Sequence, residues 1–574
     1  MKYLVVFVAD NCKEAILSEN YADLIINSGN AFDEITKIAG TCSFNLRENA
    51  YNVYVPISNL PKNFFQMYGY SAIPNVYGLL DIGSLEASGV LRVQNIPILQ
   101  LRGSGVLIGI IDTGIDYRQE AFINSDKTSK VFSIWDQTID SESSQPKGFY
   151  FGTEYTQSQI NTALASPTPL AVVPSNDENG HGTFLAGIAA GNRNEKEKFS
   201  GVVPDAEIVV VKLKPAKKNL CDFWRIPEGV LAYQKNDFIM AIRYLEEVAK
   251  EADRPMSIII SLGTSQGGHD EKGSLSRYLS ELAMQEGFAI SIAAGNEGNS
   301  GHHYLGNILN ENFVDNVELK VGENVSGFSM EFWGQTPSSF SIAIKTPKGE
   351  YIPPIPQTLK ETKEIRFTFE STTISVDYQL VEAQSGDQLI LVRFTNPTPG
   401  IWTFQVSLKS NISLRYHIWL PIVDFLSKDT FFVQSNPEYT LTSPGNTSIP
   451  LVTTAYDYRT KVLYINASRG FMRNENIAPT LAAPGVDLIG PSVPQGYKVN
   501  SGTSLAAAHT GGVAAMLLEW GIVRGNYPQM STVEIRNLLI RGASRESSIT
   551  YPSKQWGYGI LDLYNAFNTF RNTI

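Results

Sequence analysis

The sequence predicts an α/β protein built on a parallel sheet, preceded by a small α+β unit and interrupted by an inserted β-sandwich of the jelly-roll kind. Three observations carry that expectation. The runs "GVLIGIID", "AEIVVVKL", "MSIIISLG" and "FAISIAAGN" are short, apolar and bounded by turn residues. Such near-continuous hydrophobicity marks strands buried on both faces of a parallel sheet. Helix-like stretches at 237–251 and 274–285 alternate with them. Between about 306 and 452 the texture changes to short strands separated by Gly, Pro, Asn and Ser, such as "FVDNVELKV", "SGFSMEFWG", "FSIAIKT", "EIRFTFE", "QLILVRF" and "WTFQVSL". Regular short strands with turn signals between them read as a sandwich.

Taken in order, residues 1–82 form the small leading unit. "YLVVFV" is a strand, 14–27 is helix-like, "AYNVYVPI" is a second strand and "LPKNFFQMYG" a helical turn. Residues 83–305 carry the first part of the α/β unit, 306–452 the sandwich, and 453–574 the second part, which resumes the α/β texture. At 574 residues the chain has room for about three or four such units.

Composition narrows the partners. A formal net charge of −11 without any Lys/Arg block argues against nucleic acid, since phosphate binding needs clustered cations. Cys12, Cys42 and Cys221 form neither a disulfide framework nor a Cys-x-x-Cys metal pair, and three free thiols in a reducing compartment are expected. The apolar run at 3–9 ends at Asp10, too short for a secretory signal, and no run of 18 apolar residues predicts a membrane span.

Four phrases carry chemistry. "VLIGIIDTGID" ends a strand in Asp112, and carboxylates at the C-terminal ends of parallel strands face the functional edge of a sheet. "NGHGTFLAGIAAG" sets His181 at the start of a helix of small residues. "ISIAAGNEG" places Asn296 at a strand end, where its amide can donate to a developing oxyanion. "NSGTSLAAAHTGG" places Ser504 at a helix start, as either a nucleophile or a cap. The order Asp, His, Asn, Ser runs along the chain.

"DTG" at 112–114, "HGT" at 181–183, "AAGN" at 293–296 and "GTSLA" at 502–506 resemble the four signature sites of the subtilase family of serine proteases, over roughly 83–305 and 453–574. "APGVD" at 483–487 is similar to the family stretch leading to the nucleophile. The resemblance implies a subtilisin-like catalytic fold. It makes Ser504 the nucleophile, His181 the general base, Asp112 its orienting carboxylate and Asn296 an oxyanion donor. Ser261, Leu262 and Gly263, with Ala294 and Gly295, would bind the substrate backbone. Residues 1–82 become a prodomain that acts as an intramolecular chaperone and is cut off by the enzyme itself between about Tyr77 and Ser88. Ala508 stands where the family usually has Pro, and Leu185 where Val is commoner. The loop "GNRNEKEKFSG" lacks a match to the family's calcium loop, so neither a metal nor a cofactor is expected.

Asp112 and His181 are 69 positions apart and Asn296 and Ser504 208 apart, wider than in a minimal subtilase. A short prodomain, no evident signal and a jelly roll between the Asn and Ser motifs resemble the clostridial germination-specific, Csp-type proteases, in the branch that keeps all three triad residues. That resemblance implies synthesis in the cytoplasm, residence in the spore, and a protein substrate: the pro-form of a spore cortex hydrolase. The alternatives are a general intracellular clostridial subtilase and a catalytically silent pseudoprotease or binding scaffold. A different hydrolase would use "GTSQG" at 263–267 as a nucleophile elbow, but an elbow runs straight into a helix, and "GHDEKG" reads as a loop.

Overall fold

A computed structural model describes residues 12–571 except 48–49, 75, 78–85, 142–143, 338, 356–358 and 409–411. Its centre is a nine-stranded sheet. The order is Val462–Leu463, Leu451–Asp457, Phe288–Ala293, Met256–Ile260, Leu107–Asp112, Glu207–Lys212, Val131–Asp136 and Thr153–Thr156, with Leu481–Pro484 also paired to Leu451–Asp457. The five strands from Leu451–Asp457 to Glu207–Lys212 run parallel. All four apolar runs read from the sequence are among them. Every residue of Leu107–Asp112, Met256–Ile260 and Phe288–Ala293 is buried. Alternate side chains feed two cores: Ile108 and Ile110 face the helices His181–Ala190 and Thr503–Leu518, while Leu107 and Ile111 face Lys235–Glu251 and Ser274–Ala283.

Thr503–Leu518 is buried at all sixteen positions. With its continuation to Val523 it is the one helix among the described residues long and apolar enough to cross a membrane, yet 83% of its apolar window is buried inside the protein. Its small residues allow this: a Cβ on Gly511 would lie 2.5 Å from Ile259, and one on Gly512 2.5 Å from Val202.

From His303 to Phe432 the chain builds two antiparallel sheets of six and five strands around a separate apolar core. The six strands read from the sequence are present, and five more were not read: His303–Ile308, Tyr351–Ile352, Thr373–Gln379, Leu414–Trp419 and Phe431–Phe432. Leu451 and Val452, assigned by sequence to the end of the sandwich, belong to the parallel sheet.

The leading unit is a three-stranded antiparallel sheet in the order Tyr21–Asn27, Ala50–Pro56, Cys42–Arg47. The strand expected at 3–9 lies outside the described residues. The helix expected over 14–27 is confined to Lys13–Leu17, and Tyr21–Asn27 is a strand. Its centre, Ala22 to Ile26, is buried, because one face meets the unit's own core and the other the catalytic sheet's helices. Cys12 and Cys42, expected to be free, are joined as a disulfide, their Cα atoms 5.7 Å apart. The short helix after Cys12 packs on the sheet whose outer strand begins at Cys42, a proximity that no spacing along the chain reveals.

The three units meet in one seam. Phe65, Tyr70 and Ile73 of the leader pack with Leu220 and Trp224 and with Trp333, Leu389, Trp419 and Ile422 of the sandwich and its return. The strip "HIWLPI" at 417–422 thus contributes to this contact. Tyr70 donates to Glu331 Oε1 at 2.6 Å. Lys217 Nζ meets Asp23 Oδ1 at 2.5 Å, and Gln234 donates to the other oxygen of Asp23 at 2.6 Å. Arg473 bridges Asp270 at 2.9 Å and Asp387 at 2.7 Å, tying the sandwich to the loop that precedes the helix Ser274–Ala283.

Removing the cation from this buried triad strands two carboxylates. Arg473→Met should cost about 3–5 kcal/mol, read as a lower thermal midpoint and faster limited proteolysis. An unchanged protease resistance would show that the bridge is not needed to hold the sandwich.

The seam also predicts a pH response. His269 and His417 stack on Trp419 at 4.0 and 5.0 Å between ring centroids, and His303 bonds His417 at 3.0 Å. Burial lowers His269 to about 4 and His303 and His509 to about 3, and it holds His417 well below the ordinary histidine value. Unfolded histidines titrate near ~6.5. These buried neutral rings therefore contribute fully above that pH and lose their contribution as pH falls toward the folded values. Burial also raises Asp237 to about 6 and Glu331 to about 7, which acts in the opposite sense over part of that window. Four histidines at roughly 2 kcal/mol each at about pH 5 outweigh two carboxyls, for a net loss of a few kcal/mol. The thermal midpoint should drop between about pH 7.5 and 5, and a flat or rising midpoint would contradict neutral burial.

Candidate active site

Asp112 ends the strand Leu107–Asp112 and is wholly buried. Its carboxylate accepts from His181 Nδ1 at 2.8 Å and from the Thr113 N–H at 2.8 Å on one oxygen, and from Ser261 Oγ at 2.5 Å on the other. Burial alone would favour the neutral acid. The His181 charge and these donors outweigh it and hold the pKa below the usual carboxylate range.

His181 is the first residue of the helix His181–Ala190. Gly180 precedes it in the left-handed region at φ +86. Gly182 permits the approach to Asp112: a Cβ there would fall 2.2 Å from the Gly114 carbonyl oxygen. The helix start is secured by Asp177, which accepts from Gly180 N at 2.8 Å, Thr183 N at 2.9 Å and Thr183 Oγ1 at 2.7 Å. Asp177 was not singled out in the sequence, although "NDENGHGT" carries an acid just before a helix, a usual capping signal.

Ser504 is not a cap. Gly502 occupies the N-cap position, without a side-chain cap, and Ser504 is the second residue of the helix Thr503–Leu518. Its hydroxyl donates to the Ser261 carbonyl at a long 3.5 Å. Asn296 stands beside it: Thr503 donates to Asn296 Oδ1 through its N–H at 3.2 Å and its hydroxyl at 3.1 Å. Two donors fix which end of the amide is oxygen and leave Nδ2 as the end available to the cleft. Thr503 is a second residue the sequence did not single out, and its hydroxyl also accepts from Gly295 N at 3.1 Å.

The remaining candidates divide. Ser261 turns its side chain to Asp112, and Leu262 and Gly263 continue from its strand along the same edge. Ala294 and Gly295 are held from all sides. Ala294 bonds Thr453 O and Thr442 N at 3.0 Å, and Gly295 bonds Thr503 Oγ1 and, at 2.8 Å, Ser468 N. Ser265 of "GTSQG" lies in a loop, with no helix before Ser274. Among the described residues no group of His, Cys, Asp and Glu is arranged to hold a metal ion.

His181 and Asn296 open onto a cleft of about 1190 Å³, whose walls include Leu231, Glu297, His302 and the segment 422–426 that returns from the sandwich. A buried Asp–His pair, a serine at a helix N-terminus and an oriented amide thus meet at one edge of the sheet, an arrangement suited to acyl transfer.

The sequence profile of the Subtilase family matches residues 103–321 and 425–559, which flank most of the sandwich. The CspB protease of Clostridium perfringens superimposes with a TM-score of 0.75 at 28% sequence identity, over 85% of this chain and 97% of that one. The C5a peptidase of Streptococcus pyogenes serotype M18 is 21% identical over 499 residues, covering 81% of this chain. A subtilisin from Bacillus sp. is 24% identical over 245 residues, 42% of this chain and 46% of the subtilisin. The chain spans about 40% of the length of the C5a peptidases it matches. With the profile matched over more than half of its residues, the chain belongs to the subtilase family.

Proposed function

We propose that this chain is a serine endopeptidase whose triad is Asp112, His181 and Ser504. The observation that carries the reading is the 2.8 Å bond between His181 and a fully buried, ionised Asp112, at the sheet edge that also holds Ser504 and Asn296. Ser504 Oγ attacks the scissile carbonyl, its 3.5 Å contact to Ser261 being long enough to give up at little cost. His181 takes the hydroxyl proton and hands it to the leaving amine, and water then releases the acyl group by the same path. Asp112 fixes the imidazole tautomer and stabilises the imidazolium. Asn296 Nδ2 and the Ser504 N–H hold the oxyanion, and the helix N-terminus adds its positive end.

The same reading makes the leader a substrate in cis. Val76–Tyr77 pairs antiparallel with Tyr233–Gln234, close in sequence to Leu231 of the cleft wall. An extended segment added to a strand in this way is a common mode of peptide binding. The expected cut between Tyr77 and Ser88 falls largely on 78–85, outside the described residues. In trans, the substrate is proposed to be the pro-form of a spore cortex hydrolase, cleaved during germination. Likeness to the CspB protease over 97% of its length supports that role.

Intact mass of the purified protein tests the reading. The wild type should lose a fragment of roughly 80 residues and react with a fluorophosphonate probe, while Ser504→Ala should stay whole and unlabelled. A Ser504→Ala chain clipped at the same bond would show that another protease makes the cut.

Asn296→Ala should lower kcat by about 10²- to 10³-fold with KM nearly unchanged, because the donor acts on the transition state. A raised KM at constant kcat would assign Asn296 to ground-state binding instead.

A further inference from the structure

The cleft wall opposite the sheet edge is built from the sandwich's return segment, and it carries a carboxylate that the triad does not use. Asp424 lines the cleft with His181, Asn296, Glu297 and His302. It stands exposed on that wall, and none of the described residues gives it a hydrogen bond or an ion pair. Its position is built rather than accidental. Glu297, the residue after Asn296, is 3% exposed and accepts from the N–H of Val423, Asp424's neighbour, at 3.0 Å. The second oxygen of Glu297 accepts no hydrogen bond, its nearest counter-group being His302 Nδ1 at 3.2 Å. The residue beside the oxyanion donor therefore fixes the segment that presents Asp424.

We propose that Asp424 is a specificity-determining residue, selecting substrates with a Lys or Arg side chain immediately flanking the scissile bond. The inference rests on the serine-protease reading and extends it to substrate choice. The two carboxylates lie on facing parts of the same cleft and repel, and a guanidinium or ammonium group entering beside Asp424 relieves that repulsion. Crowding by the surrounding protein raises the Asp424 pKa; the Glu297 charge adds to this, and the His181 charge opposes it. The other charges of the cleft do not supply a counter-ion. Asp487 is paired with Arg459 at 2.8 Å, Lys498 lies over the Phe184 ring at 5.8 Å, and Lys428 forms no ion pair with Asp424. An acidic side chain entering the same place would meet two like charges, so the wall also rejects.

The proposal concerns substrates delivered from solution. The segment 77–88, in which the self-cut is expected, contains no Lys or Arg. A tethered segment needs no such selection, because it is presented at high effective concentration.

The test is a peptide series that places Arg, Lys, Gln, norleucine or Glu on either side of the scissile bond in turn, with kcat/KM measured for the wild type, Asp424→Asn and Asp424→Lys. The readout is the ratio of Arg to Gln peptides, which a general loss of activity does not move. In the wild type it should be about 10- to 100-fold at one flanking position. Asp424→Asn should bring it within about threefold, and Asp424→Lys should turn the preference toward Glu. Equal rates for Arg and Gln at both positions in a wild type that reacts with the fluorophosphonate probe would overturn the inference alone, as would a preference that survives in Asp424→Asn. A wild type that neither reacts with the probe nor cleaves any peptide would overturn the protease reading and the inference with it.

Discussion

The site depends on how closely two pieces of backbone can approach at Gly182. His181 reaches Asp112 only because the start of its helix rests against the turn after the strand, with no room for a side chain between Gly182 and the Gly114 carbonyl. Asp177 ties down the helix N-terminus from one side, and Asp112 gathers three donors from the other. Any methyl group at that contact would push the imidazole away from its carboxylate. The small residues of both site helices have the same consequence: they let helix, strand end and loop lie at backbone contact, so that short side chains suffice to connect them.

Around that centre the chain uses one seam for several purposes. The return segment of the sandwich contributes Trp419 and Ile422 to the packing with the leader and Asp424 to the cleft. Its position therefore depends on the leader, through Tyr70 and Glu331, and on the site, through Glu297 and Val423. Stability and substrate access share residues here, and a change in the packing of the sandwich is carried to the cleft over a few bonds.

The parallel strands were legible because burial on both faces demands unbroken apolar runs, and "MSIIISLG" has few other readings. Asp112, His181, Asn296 and Ser504 were legible because each sits in a phrase whose glycines and small residues have a steric purpose. Other features were not. A motif locates Ser261 but not the direction of its side chain, which turns to Asp112 rather than outward. Asp177 and Thr503 act on neighbours of the site, and their role appears only when the helix ends are seen. Tyr21–Asn27 read as helix because its apolar residues fit either period, and burial on both sides decided for the strand. His303–Ile308 follows one histidine, begins with another and contains a glycine, so composition alone gave no strand signal. The Cys12–Cys42 bond joins residues whose proximity is purely tertiary.

The leader's strand Val76–Tyr77 and its bond from Tyr70 to Glu331 lie on one side of the expected cut, and the bond of Ser88 to His509 at 2.6 Å lies on the other. Hydrolysis there would sever the chain without removing any of these contacts. What changes is the order of the equilibrium. Before the cut the leader can only open and close, at a ratio that dilution does not alter. After it the two pieces obey a dissociation constant, and the fraction of catalytic units without a leader rises as the protein is diluted. One broken peptide bond thus turns a property of the fold into a property of concentration.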